Sequence, residues 1–293
     1  MKIQVSFGPY IGYTPFTFPD GQRHITLDAD VSNSEVQITT SLTCADDLFD
    51  LLLVNDILTH NKNTVHLRIE YLLGARMDAR INDRQPFTMQ VVSRIINIAG
   101  FKSVTVLDPH SRTSLAMLHG AMPPVYPMTE FLTALKDFTP EDTVIIQPDF
   151  GAQERVRKMA SGMGFRIIEC SKERDSASGK LFNPKILKPA LVESMRCLIV
   201  DDICDGGATF VALARKLREA GARDVSLFVT HGIFSKGRDL EGIDKIYSTD
   251  SFTGKVWPKG GTRTETNGFC NCTWGGSPAA GGLHRGSCPK AVP

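Results

Sequence analysis

Residues Cys197–Phe210 read CLIVDDICDGGATF. The four apolar residues Cys197–Val200 form a strand that runs into Asp201 and Asp202. A turn of small residues follows, Asp205-Gly206-Gly207-Ala208-Thr209. Phe210, Leu213, Ala214 and Leu217 then recur at helical spacing, and Gly221 ends the helix. Strand, small-residue turn and helix in that order are one half of a β-α-β unit.

The same alternation extends outward in both directions. Upstream, Glu35–Thr40 reads as a strand, Ala45–His60 as a helix and Thr64–Leu73 as a strand. Pro86 opens a helix with Met89, Val92, Ile95, Ile96 and Ala99 on one face, and Phe101–Leu107 is the next strand. Thr143–Gln147, Phe165–Glu169, Val225–Thr230 and Ile246–Asp250 are further strands, and Gly151–Ser161 a helix. This order predicts an α/β fold of mainly parallel sheets flanked by helices. The Pro-rich Ala121–Met128 is the expected hinge between two lobes, at about 1–135 and 136–254.

Composition narrows the function. The chain has 293 residues, 42% of them apolar, enough for sizeable cores. A net charge of +1 argues against a dedicated nucleic-acid binder. No apolar run reaches a membrane span, and MKIQVSFGPY lacks the apolar core of a signal peptide. A cytoplasmic location is expected. Residues 255–293 stand apart, with 8 of the 25 Gly, both Trp, five basic residues and one acid. That tail carries +4 of the charge, which leaves −3 on residues 1–254. Its Cys270, Cys272, Cys288 and His284 lack the paired spacing of common zinc sites. Cys44, Cys170, Cys197 and Cys204 are expected to stay reduced.

In parallel sheets, ligands bind beyond the carboxyl ends of the strands. There, Gly206, Gly207 and Ala208 let the backbone approach a ligand, and their N–H groups with the helix N-terminus suit a phosphate. Thr209 caps the helix or donates its hydroxyl. Asp201 and Asp202 repel phosphate but suit sugar hydroxyls, or a magnesium ion through water. Phosphate at one end and a diol at the other describe a ribose 5-phosphate. His110 and Asp149 each follow a strand and form a possible magnesium pair. Taken singly, they read equally as a histidine bonded to backbone and a helix N-cap. Arg76 and Arg80 suit phosphate forks, or are solvated arginines. Ser171–Lys180 (SKERDSASGK) reads as a polar loop, either a plain surface turn or a lid.

VDDICDGGAT resembles the phosphoribosyl-binding loop of type I phosphoribosyltransferases and of ribose-phosphate pyrophosphokinases, the PRPP synthetases. Six further segments, in that family's order, resemble the pyrophosphokinases. Phe18-Pro19-Asp20-Gly21, followed by Gln22, is similar to FxDGE, which meets adenine from a neighbouring subunit. Tyr71–Arg80 resembles the ATP-contacting YxxYARQDR, which implies roles for Arg76, Met77, Asp78 and Arg80. Asp108-Pro109-His110 is similar to DLH, whose histidine meets magnesium and ATP, and Pro148–Gly151 matches PDxG, whose aspartate binds metal and ribose. Lys172-Glu173-Arg174 sits where the catalytic loop carries KxR, and Thr230–Ser235 is close to THxxFS.

The resemblance implies two phosphoribosyltransferase-type (Rossmann-like) domains, with Lys172 and Arg174 catalytic. It implies magnesium, ATP as co-substrate, and ribose 5-phosphate or a related acceptor held by Asp201, Asp202 and Asp205–Thr209. It implies a homo-oligomer, a dimer or hexamer, with no nucleic-acid or membrane partner. Three positions depart from the pattern: Gln22 for glutamate, Met77 for glutamine, and Gly206 where the phosphate loop usually has Thr. A pocket opened at Gly206 would suit a larger acceptor such as ADP-ribose. A non-catalytic regulatory subunit and a phosphoribosyltransferase are the rival readings.

Overall fold

The computed structural model describes residues 1–6, 8–174 and 181–252, with backbone alone for 172–174 and 181–183. The expectations for the tail therefore lie outside the described residues. The first lobe opens with β1 (Lys2–Val5) and β2 (Tyr10–Ile11), then the antiparallel hairpin of β3 (Tyr13–Thr17) and β4 (Arg23–Leu27). Then come β5 (Glu35–Ser41), α1 (Ala45–His60), β6 (Thr64–Tyr71), α2 (Thr88–Ile98) and β7 (Ser103–Val106). The sheet order is β2-β1-β5-β6-β7, with β5, β6 and β7 parallel and β1 and β2 antiparallel at one edge. α1 buries Leu48, Leu51, Val54 and Leu58, one stripe at helical spacing, against this sheet.

α3 (Arg112–Ala116) follows the end of β7. The Pro-rich stretch links the two lobes. It runs along β7, with bridges Val104↔Ala121 and Leu107↔Val125 and a 2.8 Å bond from Met122 N to Val104 O. α4 (Met128–Leu135) then buries Phe131, Ala134 and Leu135 in the core of the second lobe.

The second lobe continues with β8 (Thr143–Gln147), α5 (Gln153–Ala160), β9 (Arg166–Arg174), β10 (Leu181–Ile186), β11 (Arg196–Cys204), α6 (Ala208–Glu219), β12 (Asp224–Gly232) and β13 (Lys245–Ser248). Its sheet runs β10-β9-β8-β11-β12-β13, parallel throughout except for β10 at the edge. Both faces are covered. Val144, Ile146 and Ile199 pack with Leu213 and Leu217 of α6, while Ile145, Leu198 and Val200 pack with Val156 and Met159 of α5. Burial on both faces explains why these strands read as continuous apolar runs.

Two boundaries differ from the sequence reading. β11 does not stop before the acids but continues to Cys204, so Asp201 and Asp202 lie within a strand. Asp201 pairs with Val229 of β12. Likewise Ser171–Arg174, expected in a polar loop, extends β9 and pairs with β10. Hydrogen bonding to a neighbouring strand outweighs the low apolar content in both places. Among the described residues, no helix is long and apolar enough to cross a membrane. Cys44, Cys170, Cys197 and Cys204 are free, and burial pushes the thiols of the last three up to about 12.

Candidate active site

The carboxyl ends of β8 and β11 open into a cleft of about 960 Å³ between the lobes. One wall is the turn from β11 into α6. Gly207 holds φ +74°, and a Cβ there would fall 2.4 Å from Leu240 Cδ2, so the turn requires glycine. The first helical bonds run from Phe210 and Val211 N–H to Gly207 O. The N–H groups of Ala208 and Thr209 therefore have no acceptor within the helix and line the cleft at the positive end of α6. Gly206 does not leave an open hole. A Cβ there would lie 3.4 Å from Lys236 Cδ, because the lysine stem covers that face.

The floor holds a buried charge network that spans both lobes. Arg155, on α5, donates from Nε to both oxygens of Asp108, at 2.8 and 2.9 Å. Its Nη1 reaches Asp201 Oδ1 at 3.3 Å, and its Nη2 lies 3.7 Å from Asp202 Oδ2. Asp108, from the first lobe, also accepts from the Thr230 hydroxyl, and its backbone oxygen is 3.2 Å from His231 Nε2. His110 Nδ1 sits 2.6 Å from Asp202 Oδ2.

Two adjacent carboxylates of β11 are thus placed in opposite electrostatic states. Burial, and then the charge of Asp202, push Asp201 well above the ordinary carboxylate range. Burial acts the same way on Asp202, but Arg155 and the His110 hydrogen bond outweigh it and hold Asp202 low. The Asp202 hydrogen bond in turn raises His110 above its ordinary value. An ionised Asp202 only accepts, so Nδ1 carries the proton and Nε2 is the ring atom left for a ligand.

Of the residues singled out in the sequence, His110, Asp149, Asp201, Asp202, Asp205, Gly206, Gly207, Ala208, Thr209 and Arg76 all line this cleft. Asp149 also accepts from Ala152 N at 3.1 Å and caps a 3-10 turn, the N-cap role that its place before a helix suggests. Arg76 crosses from the other lobe, donating from Nη1 to Asp205 Oδ2 at 2.9 Å. Met77 and Arg80 are exposed beside it, and Arg80 donates to Gln85 O at 3.0 Å. Asp78 lies near enough to contribute to raising His110. Phe18, Asp20 and Gln22 form the tip of the β3–β4 hairpin and do not line this cleft. There Gln22 N and Nε2 both donate to Asp20 at 3.0 Å, and Phe18 stacks edge-on to Phe16 at 5.0 Å. Ser171 lines the cleft, so Lys172 and Arg174 follow on β9 directly from its rim.

Arg155, Gln147 and Lys236 line the cleft and were missed by sequence reasoning, while Ser235, from the Thr230–Ser235 segment, bonds to Asp205. The sequence signal for Arg155 was indirect: strand-end acids facing one cleft require a buried cation, and α5 is the helix that follows Asp149. Among the described residues, no group of three or more His, Cys, Asp or Glu forms a ready-made metal cage. His110 and Asp149 line the same cleft, and an imidazole nitrogen with a carboxylate is a donor set compatible with a magnesium ion otherwise held by water and substrate phosphates.

Two lobes of this topology, meeting over a small-residue phosphate turn, define a phosphoribosyltransferase-type α/β protein. Residues 132–263 match the phosphoribosyl transferase domain. The fold is similar to the crystal structure of phosphoribosylpyrophosphate synthetase from Mycobacterium smegmatis, with a TM-score of 0.70 and 20% identity over 84% of this chain and 83% of that one. The chain is 30% identical to the ribose-phosphate pyrophosphokinase of Mycoplasma pneumoniae, over 74% of this chain and 67% of the relative. It is 30% identical to that of Campylobacter jejuni, over 80% and 77%. The chain belongs to the ribose-phosphate pyrophosphokinase family.

Proposed function

We propose that this protein transfers the pyrophosphoryl group of ATP to the C1 hydroxyl of ribose 5-phosphate, giving 5-phosphoribosyl 1-diphosphate and AMP. The observation that carries this reading is the convergence on one cleft of the phosphate turn, the Asp201–Asp202 pair, His110 with Asp149, and Arg76 from the opposite lobe. The turn at Asp205–Thr209 holds the 5-phosphate on backbone N–H groups. Asp201 and Asp202 meet the ribose hydroxyls. Burial and the neighbouring charge of Asp202 push Asp201 up, while Arg155 and the His110 hydrogen bond hold Asp202 low, so the two carboxyls differ in their readiness to bind a proton.

The C1 oxygen attacks the β-phosphorus in line, the bond from that phosphorus to the α,β-bridging oxygen breaks, and AMP leaves with the electron pair. The proton of the C1 hydroxyl is lost to the surrounding water or base. Magnesium, held at His110 and Asp149, would neutralise the triphosphate charge. Arg76 exchanges Asp205 for ATP phosphate, with Met77, Asp78 and Arg80 beside it. Phe18, Asp20 and Gln22 of a neighbouring copy meet the base, in a dimer or hexamer. Lys172 and Arg174 carry positive charge onto the transferring group. The substrates are small molecules and the expected location is the cytoplasm, with no nucleic-acid or membrane partner.

The test is AMP release by the purified protein with ATP, magnesium and either ribose 5-phosphate or ADP-ribose. Ribose 5-phosphate should give AMP, and Lys172→Ala should slow it roughly 100- to 1,000-fold. AMP from ADP-ribose alone would move the acceptor. Pyrophosphate release would indicate a phosphoribosyltransferase. Silence with both acceptors, plus a stable complex with an active synthetase, would indicate a regulatory subunit.

A further inference from the structure

Three basic residues line the cleft: Arg76, Arg155 and Lys236. Two of them are engaged by carboxylates. Arg76 pairs with Asp205, and Arg155 with Asp108, Asp201 and Asp202. Lys236 makes no ion pair or hydrogen bond among the described residues. Its nearest acid partner would be Asp205, whose charge it already feels. Both oxygens of Asp205 are taken, however, Oδ2 by Arg76 and Oδ1 by the Ser235 hydroxyl. Among the described residues, the ammonium therefore has no ion-pair partner at the rim of the turn.

Its stem is placed there by glycine. The position of a Cβ on Gly206 lies 3.4, 3.5 and 3.8 Å from Lys236 Cδ, Cε and Cγ. Three consecutive methylenes therefore lie along the bare backbone of the turn. A branched side chain at 206 would displace them. Lys236 lines the same cleft as Ala208 and Thr209, whose N–H groups have no acceptor within α6, and together they offer a donor set for a dianionic phosphate.

We propose that Lys236 is a specificity-determining residue that binds the acceptor's terminal phosphate, with its stem seated on Gly206. This rests on the pyrophosphokinase reading and names a cation that reading leaves out. It commits the acceptor to one with a phosphomonoester at this end, because the ammonium is best matched by a doubly charged group.

Titration calorimetry on the full chain, with inorganic phosphate and with ribose 5-phosphate, separates the two ideas. Lys236→Ala should weaken both ligands roughly tenfold to hundredfold. Lys236→Arg should retain most of the affinity, since it keeps the charge. In the AMP assay Lys236→Ala should raise the KM for ribose 5-phosphate and leave kcat and the KM for ATP unchanged, the pattern of lost uniform binding. Lys236 is exposed, so the alanine variant is expected to fold. Unchanged phosphate and ribose 5-phosphate affinity in Lys236→Ala would overturn the assignment, even if AMP is formed. Phosphate binding that depends on Lys236, without AMP from ribose 5-phosphate, would support the phosphate site and remove the proposed reaction.

Discussion

Gly207 concentrates the demands of the site in one residue. Its φ of +74° lies in the left-handed region, and the space beside it is filled by Leu240. An added methyl therefore meets two costs, the backbone conformation and displacement of a buried leucine. Gly207→Ala is expected to lower stability by about 2–3 kcal/mol, read as a fall in the urea midpoint. It should also raise the KM for ribose 5-phosphate, because the N–H groups behind it shift. An unchanged midpoint would show that the turn relaxes freely. The two glycines were legible in the sequence as a phosphate turn, but their separate duties were not. Gly207 is required by its own geometry, whereas Gly206 lies under the stem of Lys236, 30 residues further along, in ordinary van der Waals contact. The pair Asp201-Asp202 was equally visible as a pair. That burial and Asp202 push Asp201 up, while Arg155 and His110 hold Asp202 low, joins groups that no local pattern connects.

At the scale of elements, α1 shows how one carboxylate starts a helix. Asp47 Oδ2 accepts from Thr43 N at 2.7 Å, from the Thr43 hydroxyl at 2.6 Å and from Cys44 N at 3.1 Å. Partial burial works to raise its pKa, but these hydrogen bonds outweigh it and hold the group below its ordinary 3.8. A depressed folded pKa contributes stability above 3.8 that is lost as pH falls through the folded value. Asp47→Ala should cost about 0.5–2 kcal/mol near neutral pH. The gap from the native chain should close as pH drops below 3.8, measured by thermal melts across that range. A gap independent of pH would mean that packing, not the charge, is lost. Both α1 and α6 were legible with nearly their true ends, since stripes such as Phe210, Leu213, Ala214 and Leu217 face a core. The β3–β4 hairpin was not, because YTPFT and RHITL pair only with each other and are largely exposed. The hairpin is fastened instead by Arg23, which donates from Nη2 to Asp50 of α1 at 2.6 Å.

The two lobes meet at a junction that is charged and buried. Asp108 arrives from the first lobe, and Arg155, Asp201, Asp202, Thr230 and His231 from the second. A second contact is apolar: the Tyr71 ring meets His231 and Phe252 edge-on, with centroids 5.2 and 4.9 Å apart. Arg155 is 4% exposed and balances three carboxylates, so its worth lies in what its removal leaves behind. Arg155→Met fills much of the space but strands Asp108 and Asp202 as uncompensated buried charges. The expected loss is about 3–5 kcal/mol in urea unfolding. Removing one of those charges first should shrink it: in an Asp108→Asn background the same substitution should cost less, by about 0.5–3 kcal/mol of coupling. Equal costs in both backgrounds would show that Arg155 acts through packing alone. A coupled result would assign the stability of the lobe junction to the Arg155–Asp108 ion pair, and AMP formation should then fall with stability in the single variant and recover in part in the double.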